Sequence, residues 1–199
     1  MLAAQWDWKE LRSLACESCC VSRDALVDVA ELLNQRNRID EQIASIIARP
    51  MTSGHLGEWI ASRIFDIELE TSATARGIDG RFRSGPLAGK TVNVKWYLKH
   101  EGLLDVAKSA EADYYLVLAG PRVPATSSRG AHRPWTIHAV YLVDTLALMP
   151  ELVARGVDIG VATSVRRSMW QASEIYPDPN NAALPLDNDQ RSLLGLFAL

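Results

Sequence analysis

The chain has 199 residues, 48% of them hydrophobic and 23% charged, with 21 Lys and Arg against 24 Asp and Glu for a formal net charge of −3. This is ordinary composition for one globular domain, or one domain with a short extension, and it argues against intrinsic disorder. A slightly acidic chain does not coat nucleic acid through bulk charge; no run reaches the ~18–20 apolar residues of a membrane span, and the N-terminus lacks a basic-then-apolar secretory pattern, so a cytoplasmic protein without membrane contact is expected.

Residues 1–50 read as a helical extension. A shorter helix is predicted over residues 8–20, followed by a long amphipathic one. Ser22 is placed to cap that second helix, with Asp24 in its first turn. Leu26, Val29, Leu32, Leu33, Ile39, Ile43, Ile46 and Ile47 then recur at spacings of three, four and seven, until Pro50 ends the segment. Such a stripe either covers the chain's own core or serves as a dimerisation or DNA-gripping arm. The three cysteines, Cys16, Cys19 and Cys20, include a Cys-x-x-Cys pair. No further cysteine completes a zinc site, and His55, His100, His132 and His138 are scattered, so reduced thiols on a helix are expected.

Residues 51–199 read as an α/β domain. A helix is predicted from residue 53 or 54 to 65, and strands over 67–70 and 77–82. Gly85-Pro86 and Gly89 mark a turn. The segment TVNVKWYL (91–98) alternates, with Val92, Val94 and Trp96 on one face and Asn93, Lys95 and Tyr97 on the other. A helix is expected over 103–109. The apolar run YYLVLA (114–119) has the character of a central strand buried on both faces. A Gly-, Pro-, Ser- and Arg-rich loop covers 120–134, a strand 135–142, and a helix 144–155 that Pro150 should break or kink. An irregular tail from Tyr176 leads to a last short helix.

Three polar features fall within forty residues. Glu58 sits in the helix GHLGEWIASRIF, Asp79 lies between glycines in GIDGRF, and Asn93 and Lys95 share one face of the next strand. A carboxylate and a carboxamide oxygen on adjacent strands suit a hard divalent cation with room left for water and a phosphate oxygen. Lys95, one pleat on, can orient the attacking water or neutralise transition-state charge, and Glu58 can act through a water. The plainer readings are a turn for Asp79, a solvated edge residue for Lys95 and a surface carboxylate for Glu58.

This order (helix with Glu58, Gly-Ile-Asp79-Gly, a short turn, then Val-Asn93-Val-Lys95) resembles the PD-(D/E)XK nuclease superfamily over roughly 65 residues, 54–119. The resemblance implies a restriction-endonuclease-like mixed central sheet flanked by helices, built on an αβββαβ core. It implies Mg²⁺, with Mn²⁺ as an alternative, held by Asp79, Asn93 and Glu58, and Lys95 as the catalytic lysine. Asn93 departs from the pattern: it is neutral where the family has a carboxylate or sometimes Gln, which weakens a Mg²⁺ site.

Further basic residues suit a phosphate backbone: Lys99, Arg129 in the loop 122–133, and Arg166 and Arg167 in TSVRRSMW. Their plainer readings are solvated helix starts and a disordered loop. Trp96 and Trp135 are expected in the core. The leading expectation is a Mg²⁺-dependent endonuclease of restriction or defence type, acting on double-stranded DNA as a homodimer. The alternatives are a catalytically silent nuclease-fold protein that binds DNA or a partner, and an unrelated α/β domain.

Overall fold

A computed structural model describes residues 8–71, 77–108, 111–122 and 133–198, with side chains from residue 25 onward. The chain divides into two units, Met1–Met51 and Thr52–Leu199.

Among its described residues the first unit is a single helix, α1 (Trp8–Ile47). The two predicted helices are continuous because no Gly or Pro occurs before Pro50 to interrupt the backbone ladder. Arg36 and Asp40 pair one turn apart at 3.6 Å. Leu32, Leu33 and Ile39 of its apolar stripe are exposed. The side chains of Cys16, Cys19 and Cys20 lie outside the described residues.

The second unit opens with α2 (Ser53–Ile64), capped by the Thr52 hydroxyl, which accepts from the His55 amide at 3.2 Å. It continues through β1 (Ile67–Leu69), β2 (Gly80–Phe82), β3 (Thr91–Tyr97) and β4 (Leu103–Leu104). Then come β5 (Tyr114–Ala119), β6 (Ala139–Asp144), α3 (Thr145–Ala154) and β7 (Thr163–Ser164), followed by α4 (Arg167–Ser173), β8 (Glu174–Tyr176) and α5 (Asn188–Gly195). Six strands form a mixed sheet in the order β1-β2-β3-β5-β6-β8, in which β3 and β5 run parallel and the other pairs antiparallel. The short strands β4 and β7 pair apart from it. The domain is thus α/β, with a mixed sheet flanked by helices. No described helix is long and apolar enough to cross a membrane.

Alternation along β3 sorts the two faces as predicted. Val92, Val94 and Trp96 join Leu116, Leu118, Val140 and Leu142 in one core, under Ile60, Ala61 and Ile64 of α2 and Leu194 of α5. Trp96 and Trp135 meet edge to face at 5.5 Å, and the Trp96 indole donates to the Thr136 carbonyl. The opposite face carries Asn93, Lys95 and Tyr97, in register with Tyr115, Val117 and Ala119 of β5. There Tyr115 and Val117 pack with Leu148 and Leu152 of α3, Trp170 of α4, and Leu104 and Val106.

Three expectations change. The helix predicted over 103–109 does not form over its described residues, 103–108: Leu104 and Val106 are buried two residues apart, so this part of the crossover from β3 to β5 runs extended and covers the sheet with alternate side chains. The expected αβββαβ order therefore lacks its second helix among the described residues. The strand predicted over 135–142 is shifted to Ala139–Asp144, because Trp135 and Thr136 serve the core from a loop. Finally, α3 runs through Pro150 unbroken, begun by the Asp144 carboxylate, which accepts from the Leu146 amide at 2.8 Å.

Candidate active site

The site is assembled where the chain enters β2. Gly77 takes a left-handed turn at φ +76°, open to glycine at no steric cost, and its carbonyl accepts from the Asn93 carboxamide Nδ2 at 3.1 Å. Asp79 then lies between two strands: its amide donates to the Val92 carbonyl and its carbonyl accepts from Glu70, both at 2.9 Å. Gly80 has to be glycine, because a Cβ there would stand 2.5 Å from the Glu68 carbonyl oxygen. That close approach of β1 and β2 seats Asp79 at the strand entrance.

The β2–β3 ladder pairs Gly80 with Val92 and Arg81 with Thr91. Val94 lies beyond it, and its amide donates instead to Asp79 Oδ2 at 2.7 Å. The Asp79 carboxylate is therefore held against the backbone between Asn93 and Lys95. Asn93 is 5% exposed, and its Oδ1 is buried with no hydrogen-bond partner among the described residues. Lys95, half-buried, follows on the same face of β3. Tyr115, opposite Asn93 in the parallel register, is buried, and its hydroxyl accepts from the Ala107 amide at 3.0 Å. Burial raises its phenol above the ordinary value, the Ala107 hydrogen bond opposes that rise, and the negative charge of Asp79 adds to it.

The structure thus brings Asp79 and Asn93 together around the Val94 amide, with Lys95 one pleat away. Glu58 stands on α2, the element covering the opposite face of the sheet, where Val92, Val94 and Trp96 point. Lys99 donates to Glu101 at 2.9 Å, and Arg166 pairs with Glu151 at 3.2 Å, so both serve local ion pairs. Arg167 is exposed. Arg129, with most of its basic loop, and His132 lie outside the described residues.

The residues suit a hard divalent cation. A buried carboxamide oxygen without a partner among the described residues and a neighbouring carboxylate are both oxygen ligands, and Mg²⁺ commonly takes one or two carboxylates plus water and substrate phosphate. Among the described residues no three His, Cys, Asp or Glu gather into a group that could hold a metal ion, at Asp79 or elsewhere.

Two clefts lie beyond the C-terminal ends of β3 and β5, of about 440 and 700 Å³, sharing His100 and Arg122. Their common wall is a triangle of rings: His100, Tyr141 and Trp170, with centroids 4.9–5.1 Å apart. Sequence reasoning assigned no role to Tyr141 or Trp170. They are brought together only by the packing of α4 against β6, which no local pattern announces. No protein-family model matches this chain, and neither does any curated protein.

Proposed function

We propose that the chain is a metal-dependent DNA endonuclease with a restriction-endonuclease-like domain. The observation that carries this reading is the buried Oδ1 of Asn93, without a partner among the described residues, beside the Asp79 carboxylate, on the face that also presents Lys95. A buried acceptor without a donor costs about 1–3 kcal/mol, and such a cost is retained where an ion or ligand supplies the missing partner.

Asp79 and Asn93 would hold Mg²⁺. When bound, the ion supplies charge neutralisation at a phosphate and acidifies its water. Asp79 is pre-oriented by the Val94 amide, so its free-energy cost of ordering is met in the fold. Asn93 is fixed by its bond to Gly77, which leaves the oxygen, not the nitrogen, as the ligand atom. Lys95 holds the attacking water and stabilises negative charge as the scissile ester breaks.

Incubation of the purified chain with varied duplex DNA and Mg²⁺ or Mn²⁺ tests the reading. Cleavage is expected, and it falls about 100-fold or more in Lys95→Ala while folding persists. Metal-independent cutting, or a Lys95→Ala variant as active as the parent, refutes it. The neutral Asn93 favours a second reading, a protein of this fold that binds DNA without cutting it. Retention of DNA without cleavage under every metal selects that alternative.

A further inference from the structure

The geometry points to a second ligand site, for a phosphate-bearing ligand of nucleotide size, in the paired clefts at His100 and Arg122. This inference stands apart from the nuclease reading, because Asp79, Asn93 and Lys95 line neither cleft, although Trp170 and Tyr141 pack on the same face of the sheet.

The first cleft is lined by His100, Glu101, Gly102, Arg122, Val165, Arg167 and Trp170. Its polar lining includes two guanidiniums and an indole N–H. Arg122 and Arg167 are both exposed, and neither forms a salt bridge among the described residues; Arg122 donates only to the neutral Tyr141 hydroxyl, at 3.3 Å. The one acid there, Glu101, is already bonded to Lys99. Trp170 is 2% exposed; among the described residues its buried indole Nε1 has no acceptor, and the buried Nε2 of His100 has no partner. Two guanidiniums without a salt bridge among the described residues and an indole N–H without an acceptor there suit an oxyanion, and the guanidinium fork matches phosphate oxygens two at a time.

The second cleft supplies the other half of the ligand. Glu174, Asp178, Asn180 and Gln171 line it and offer acceptors that suit the hydroxyl and amino groups of a nucleoside. Burial, then the nearby Asp178, raises the Glu174 carboxyl above its ordinary value. Each cleft has the volume usual for small-molecule sites. A free nucleotide and a nucleotide unit of DNA present the same chemistry.

The test is a titration of the ¹⁵N-labelled full chain, without divalent metal, by a deoxynucleoside monophosphate, the corresponding nucleoside and a short duplex. The Trp170 indole N–H resonance reports the cleft, and the other five indoles are internal controls. A saturating Trp170 shift is expected with the monophosphate if the ligand is a free nucleotide, or with the duplex alone if it is DNA. The nucleoside leaves the resonance unmoved. The exposed pair Arg122→Gln/Arg167→Gln, with an unchanged circular dichroism spectrum, weakens the response at least about tenfold. Lys95→Ala leaves it intact. No response to either phosphate ligand at millimolar concentration, or an equal response in the double variant, overturns the proposal. A chain that cuts DNA but gives no Trp170 response refutes this site alone. One that responds but does not cut refutes only the nuclease reading.

Discussion

Asp79 and Val94 are joined by a 2.7 Å hydrogen bond from a backbone amide to a carboxylate oxygen, at the point where the β2–β3 ladder ends. The carboxylate is thus both a strand-pairing device and a candidate metal ligand. Asp79→Ala leaves the buried Val94 amide unsatisfied and should cost about 1–3 kcal/mol, seen as a lowered denaturant midpoint. Asp79→Asn restores an acceptor and should recover most of that loss while cleavage stays abolished. Equal stability of the alanine variant and the parent would show that the bond contributes nothing.

Asn93 invites the opposite experiment. Asn93→Asp adds the negative charge that the nuclease resemblance would lead one to expect. It also removes the donor that Gly77 accepts from and turns a carboxylate toward that carbonyl in a site only 5% exposed. Without metal the variant should lose about 2–4 kcal/mol, since a buried charge is left uncompensated. Added Mg²⁺ should restore thermal stability and raise cleavage, because a second carboxylate strengthens a site for a hard cation. A melting temperature for the variant that ignores Mg²⁺ counts against an ion at this position.

What the sequence disclosed follows from the range of the interactions involved. The faces of β3 were legible because period-two alternation is local, and Val92, Val94 and Trp96 separate from Asn93 and Lys95 accordingly. The run 114–119 was legible as a buried strand for the same reason. The Asp79–Val94 bond was not, since it depends on where the chain leaves its register. The segment 103–109 was misread because LLDVAKS suits a short helix until Leu104 and Val106 are drawn down onto the sheet. The cleft at His100 joins residues some seventy positions apart, and no spacing rule reaches that far.

Asp113 staples the entrances of the two parallel strands. Its Oδ2 accepts from both the amide and the hydroxyl of Thr91 at 2.8 Å, Lys90 donates to its Oδ1 at 3.1 Å, and its own amide donates to the Thr91 hydroxyl. The Thr91 amide first, then the Thr91 hydroxyl and Lys90, hold its carboxyl below the ordinary carboxylate value. A depressed acid contributes stability that is complete above its unfolded value and is lost as pH falls through the folded one. Asp113→Asn should therefore destabilise the chain at neutral pH, and its deficit against the parent should shrink in acid below about pH 4. Urea denaturation across that range measures it; a deficit independent of pH would refute the role of the charge.

His100 acts in the same direction over a higher range of pH. Burial first, then the positive charge of Arg122, hold its ring near a pKa of about 4, against 6.5 for an ordinary histidine. Tyr141 and Trp170 pack on the ring, and Arg167 and Glu101 share its cleft. Between these two values the unfolded chain takes a proton that the folded chain refuses, so stability should rise with pH from about 4 to 6.5 and stay level above. The ring is only part-buried, which reduces the expected gain to something on the order of 2 kcal/mol. His100→Gln cannot titrate and should flatten that segment of the stability–pH curve, while the acid limb set by Asp113 remains. A nucleotide phosphate in the cleft should act against the same burial by favouring the imidazolium, so the His100 pKa followed by NMR should move upward on titration with the monophosphate. An unmoved His100 pKa in the presence of a saturating Trp170 shift would place the phosphate away from the ring.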